Sequence, residues 1–78
     1  MQYYERLRAI REDKDLSQKQ CADAIKTSQR VYSRYETGIN EMTVNRLAEI
    51  CKYLNVSADY ILGLPKDMPY PETKIIIK

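Results

Sequence analysis

Seventy-eight residues with 13 basic and 11 acidic side chains, 44% of positions hydrophobic and 31% charged, allow one small domain and leave little chain for a deep catalytic cleft. At this size roughly 60–65% of the extended surface can be buried, which is enough for one modest core. The net charge of +2 is nearly balanced: residues 1–36 hold eight Lys/Arg against six Asp/Glu, and residues 37–78 hold five of each, so any affinity for nucleic acid must come from where the charges point.

The longest apolar run, Ile75-Ile76-Ile77, is far too short to span a bilayer, and the opening residues Met1 to Arg6 lack the apolar stretch of a secretory signal. A cytoplasmic protein without a membrane partner is therefore expected. Cys21 and Cys51 match no zinc or redox spacing, and there is no histidine to complete a ligand set, so both read as reduced, buried, small hydrophobes with no metal site. No nucleophile–base pair and no phosphate loop is present, which argues against an enzyme and against a bound cofactor.

In chain order, Tyr3, Leu7 and Ile10 recur at helical spacing and predict a first helix over 3–13, broken at Lys14-Asp15. Ser17, followed three residues later by Gln20, has the form of a capping box and opens a second helix through about Ala24. Ile25-Lys26-Thr27 reads as a joint. Thr27 or Ser28 caps a third helix to about Glu36, where Thr37-Gly38 supplies a left-handed stop. Thr43 begins a fourth helix with Leu47, Ile50, Cys51 and Leu54 along one face, and Ser57 caps a short fifth helix, Ala58–Leu62, that ends at Gly63. Five short helices with brief joints predict an all-α bundle. The seven tyrosines are the only aromatic residues. Their helical placement favours core or core-edge packing over a stacking platform for single strands.

On the third helix, 100° per residue puts Ser28, Val31, Tyr32 and Tyr35 on an inward side and Gln29, Arg30, Ser33 and Arg34 on the other. A solvated polar face accounts for such a row. Base readout in DNA uses the same chemistry: Arg bridges O6 and N7 of guanine, Gln bridges N6 and N7 of adenine, and Ser suits either base or phosphate. A short capped helix, a brief joint and a second helix with an outward polar row make a helix-turn-helix arrangement.

The run Leu16-Ser17-Gln18-Lys19-Gln20-Cys21-Ala22, then Thr27-Ser28-Gln29 and Ser33-Arg34-Tyr35-Glu36-Thr37-Gly38, resembles the phage-repressor (Cro/repressor, XRE-like) helix-turn-helix family. The stretches 47–57 and 59–64 continue the resemblance, which covers residues from about 5 to 64. It implies a five-helix lambda-repressor-like bundle with the third helix in the major groove and Gln29, Arg30, Ser33 and Arg34 as base contacts. It implies phosphate contacts from Gln18, Lys19, Ser28, Asn40 and Thr43, and a structural ion pair between Arg11 and Glu36. If that pair is partly exposed, its contribution is only about 0–1 kcal/mol.

Four positions depart from the family pattern. Lys26 stands where a joint glycine is usual, and a lysine in left-handed geometry costs about 1–2 kcal/mol, so either the joint relaxes or this lysine is tolerated there because it can reach a phosphate. Cys21 is smaller than the usual aliphatic and Tyr32 larger, which suggests mutual compensation in the core. Asp15 replaces another frequent glycine at a position where Asp is tolerated.

Residues 1–64 thus form the expected DNA-binding domain and 65–78 a proline-containing tail. The tail reads as a frayed end or, through Lys74 to Ile77, as an apolar strip for a second subunit or another protein. The expectation is a double-stranded DNA-binding regulator of bacterial, phage or mobile-element origin. It would act as a homodimeric repressor on a roughly palindromic operator. The alternative is an antitoxin-type module whose tail binds a partner protein.

Overall fold

Serine and threonine hydroxyls start four of the five helices. In the computed structural model, which describes residues 1–65, the helices are α1 (Tyr3–Asp13), α2 (Gln18–Ala24), α3 (Gln29–Glu36), α4 (Val44–Leu54) and α5 (Ala58–Leu62). The expectations for Tyr70 and the Ile75–Ile77 triplet lie outside the described residues. Ser17 Oγ accepts from the Gln20 N–H at 3.0 Å while Gln20 Oε1 accepts from the Ser17 N–H at 2.8 Å, which completes the capping box. Ser28, Thr43 and Ser57 each accept from the amide three residues on, at 3.2 Å, so the choice between Thr27 and Ser28 falls to Ser28. Each such cap contributes about 0.5–2 kcal/mol by satisfying a donor the helix cannot reach.

Among the described residues, three that are not glycine take left-handed backbone: Asp15 (φ 55°), Lys26 (φ 57°) and Asn55 (φ 57°). The α2–α3 joint therefore does not relax, and Lys26 holds the strained geometry itself. Gly38, after α3, has φ 80°, and a Cβ there would lie 2.7 Å from the Tyr4 ring. Both the backbone angle and the approach of the Tyr4 ring therefore favour glycine there.

α1 packs on α3 and α5, α2 on α3 and α4, and α4 on α5. Leu7, Ile10, Cys21, Ala22, Ile25, Tyr32, Tyr35, Ile50, Cys51, Leu54 and Ile61 form one core. Cys21 and Tyr32 are both fully buried there, as the volume exchange between them requires. Both cysteines are free thiols, and burial raises the pKa of each. Tyr53 and Tyr60 differ from expectation, at 43% and 59% exposed. Tyr53 lies about 60° of helical arc beyond the face set by Leu47, Ile50, Cys51 and Leu54, which is enough to carry its ring out of the core.

One charged residue enters this interior. Glu36 ends α3 with its side chain 1% exposed, and Arg11 of α1 meets it with Nε to Oε2 at 2.7 Å and Nη2 to Oε1 at 3.0 Å. The Arg11 side chain is itself only 11% exposed, so the pair is buried and the small value for a part-exposed pair does not apply. Arg11 Nη1 also donates to the Leu16 carbonyl at 2.8 Å, which ties α1, the α1–α2 loop and α3 together. The Tyr32 hydroxyl lies beside Glu36 and Cys21 without a partner at hydrogen-bond geometry. Burial, with the Glu36 carboxylate adding, pushes its pKa far above the ordinary phenol range.

Burial is the largest single influence and would raise the Glu36 pKa, but the Arg11 hydrogen bonds, the nearby Tyr32 hydroxyl, Gln18 and the Arg11 charge together outweigh it, and the carboxyl titrates below its ordinary value. A depressed folded pKa means that Glu36 binds its proton more readily in the unfolded chain. Its stabilisation is therefore present above the unfolded value of about 4.3 and disappears as pH falls through the folded value. Arg11→Ala, which strands the buried carboxylate, is expected to destabilise by about 3–5 kcal/mol at neutral pH. Urea denaturation of wild type and Glu36→Gln across pH 7 to 3 checks the origin of the acid loss, which should be clearly smaller in the variant. Equal acid sensitivity would place the titrating group elsewhere.

Candidate nucleic-acid interface

α3 presents two unlike faces. Tyr32 and Tyr35 are buried and Val31 half-buried, while Gln29, Arg30 and Arg34 are exposed and Ser33 is half-buried. Ser28, expected on the inward side, is exposed instead. As N-cap it precedes the helical backbone, so the 100° step does not apply to it, and its Oγ is occupied with the Val31 N–H. Among the described residues neither Arg30 nor Arg34 belongs to an ion pair. Two cations and a primary amide thus project from a helix whose opposite side is fixed in the core.

At the start of α2, Gln18 is half-buried and its Nε2 donates to Glu36 Oε1 at 3.2 Å. Arg11 and Gln18 therefore converge on one carboxylate, that of Glu36. A primary amide has a second N–H and a carbonyl oxygen, so this bond orients Gln18 and leaves it a donor for an anion. Lys19 is exposed and pairs with Asp23 at 3.3 Å, one turn on. An exposed pair of that kind is held by about 0–1 kcal/mol, which does not stop the ammonium turning to a phosphate.

Asn40 and Thr43 belong to a separate segment between α3 and α4. The Asn40 N–H donates to the Arg34 carbonyl at 3.2 Å, which folds the loop back on the end of α3. The Met42 N–H donates to the Tyr3 hydroxyl at 3.3 Å and fastens the same loop to α1. Thr43 is exposed, and its Oγ1 accepts from the Arg46 N–H while its own hydrogen stays free to be donated, as it does at Ser28. No side-chain hydrogen bond among the described residues joins Asn40 or Thr43 to the row on α3.

Two features escape a reading of the sequence. Glu36 holds Gln18 as well as Arg11; a buried acid at the end of an amphipathic helix hints at one partner and does not count them. Arg46, half-buried in the first turn of α4, donates from Nη1 to the Ile25 carbonyl at 3.2 Å. Its partner is a main-chain atom, and only its position three residues after the capping Thr43 marks it out.

The helix-turn-helix family matches residues 7–61, from within α1 to α5. An uncharacterized HTH-type transcriptional regulator of Bacillus subtilis (strain 168), YobD, is 33% identical over 73 residues. The alignment takes in 94% of this chain, which spans 62% of the length of that relative. None of the solved structures matches the chain. No helix among the described residues is long and apolar enough to cross a membrane. With α2 and α3 joined by a tight left-handed turn, α3 exposing a polar row, and the match spanning most of the chain, it belongs to the XRE-like helix-turn-helix family of non-enzymatic DNA-binding domains.

Proposed function

We propose that the chain is a sequence-specific regulator of transcription that binds double-stranded DNA as a homodimer in the cytoplasm and represses by covering an operator. The observation that carries this reading is the row Gln29, Arg30, Ser33 and Arg34 on α3, with both arginines outside any ion pair among the described residues. Arg30 and Arg34 are suited to guanine, Gln29 to adenine, and Ser33 to either a base or a phosphate. Gln18, Lys19, Ser28, Asn40 and Thr43 would grip phosphates and fix the register that lets the row read bases. Residues 1–64 form the DNA-binding domain in this reading, and a two-fold pair would set two α3 helices about 34–36 Å apart on a roughly palindromic site.

A second reading keeps the DNA role and gives residues 65–78 a partner protein, as in an antitoxin. The exposed Tyr60, Leu62 and Leu64, where the chain leaves α5, favour it. Pull-down with full-length and tail-deleted chains separates the two: a partner lost on deletion, with operator binding intact, supports this version.

Selection from random duplexes with the purified chain should return a two-fold symmetric site. About six to eight phosphate contacts per dimer give a slope of log affinity on log salt near −5 to −7. Absence of sequence preference, or a flat salt response, is incompatible with the proposal. Arg30→Ala or Gln29→Ala should cost about 1–3 kcal/mol on the selected site and relax preference at one or two base pairs, as read by repeat selection. Lys19→Ala should weaken all duplexes alike and flatten the slope by up to about one unit. Identical behaviour of the two classes would contradict the division between base and phosphate contacts.

A further inference from the structure

The α2–α3 turn is held by three main-chain N–H groups and by one bond from outside. Ile25 N–H is shared between the Cys21 and Ala22 carbonyls at 3.3 and 3.2 Å, Lys26 N–H bonds to Asp23 at 3.1 Å and Thr27 N–H to Ala22 at 3.0 Å, which closes the end of α2 on itself. These bonds leave the Ile25 carbonyl beyond the reach of the helix, and it is Arg46 Nη1 that satisfies it, at 3.2 Å and partly shielded from water. The same residue is fixed at its backbone, where its N–H donates to Thr43 Oγ1 at 3.2 Å. Arg46 is thus tied by its main chain to the start of α4 and by its side chain to the turn from which α3 departs.

We propose that Arg46 is a positioning residue for DNA recognition, locking the α2–α3 turn to α4 and so setting the spacing between the α3 row and the Asn40–Thr43 edge. The inference rests on the DNA-binding reading above and adds a residue that touches no nucleic acid. Its logic is geometric. Base contacts from α3 and phosphate contacts from Asn40 and Thr43 must be made at once on one rigid duplex, so an error in their separation weakens the specific complex. Binding to unrelated DNA needs only phosphates and tolerates several arrangements. A guanidinium on a carbonyl is a charge-assisted bond, stronger than the neutral bonds around the turn. The left-handed Lys26 follows Ile25 directly, and so the bond holds the turn where its backbone is most strained.

The test uses the full chain, the operator selected by the wild type and one unrelated duplex, over a salt series, with thermal unfolding recorded for each variant. Arg46→Ala should lower operator affinity about tenfold, the equivalent of one lost charged hydrogen bond, while affinity for the unrelated duplex and both salt slopes stay unchanged. Arg46→Lys, whose ammonium can donate to the same carbonyl, should recover part of the discrimination. If Arg46→Ala does not fold, the ratio of the two affinities is read on Arg46→Gln, which is too short to make the bond. Equal weakening of both duplexes with a salt slope reduced by about one unit would make Arg46 a phosphate contact and overturn the proposal. A lowered melting temperature with unchanged discrimination would overturn it as well, leaving a purely structural role. A wild-type chain that selects no site fails the parent reading before any variant is made, so the two failures are distinguishable.

Discussion

A single buried carboxylate ties together α1, α2 and α3. Glu36 has lost nearly all contact with water and is kept ionised by Arg11, which in turn reaches the Leu16 carbonyl, and by Gln18. Desolvating a charge costs several kcal/mol and is offset only when its hydrogen bonds are well made, so the two elements that supply those bonds, α1 and the start of α2, must sit in one arrangement. The loop between them takes part through the Leu16 carbonyl, which holds Arg11 in place. The carboxylate itself is the last residue of α3. α3 is thus anchored at its C-terminal end by an ion pair and at its N-terminal end by the Ser28 hydroxyl, with Tyr32 and Tyr35 buried between them.

The rest of the frame is built on the same economy of short polar side chains. Hydroxyls of Ser17, Ser28, Thr43 and Ser57 each satisfy one helix amide, and each keeps a proton that it can donate outward. At Ser28 and Thr43 the two uses coincide with the proposed phosphate edge. Structural and binding roles there do not compete, because the cap uses the oxygen lone pair and a phosphate would take the hydrogen.

Five helices, their order and most of their ends were legible because they depend on local signals: helical recurrence of apolar side chains, serine and threonine caps, and Gly38 and Gly63 at positive φ. The outward row on α3 was legible for a related reason, since Val31, Tyr32 and Tyr35 recur at helical spacing and so define the inward side. Ser28 was assigned to the wrong side because a cap does not obey helical spacing. Tyr53 lies outside the core because a side chain modestly off the apolar arc is released to solvent, a matter of packing geometry that composition does not encode. Neither the second partner of Glu36 nor the bond from Arg46 to Ile25 could be read, because both depend on how separate helices approach one another. The Arg46 bond ends on a main-chain oxygen, which every residue type presents alike.

Lys26 has a consequence for how much change the domain can absorb. Left-handed backbone at a lysine costs about 1–2 kcal/mol, a large share of the small net stability of a domain of this size. A chain with that strain built into its central turn lies closer to its folding threshold than one with glycine there, and has less margin for destabilising substitutions elsewhere. Its mutational robustness is therefore set partly at the turn, and compensating substitutions would be found far from it, wherever helix ends or packing admit improvement.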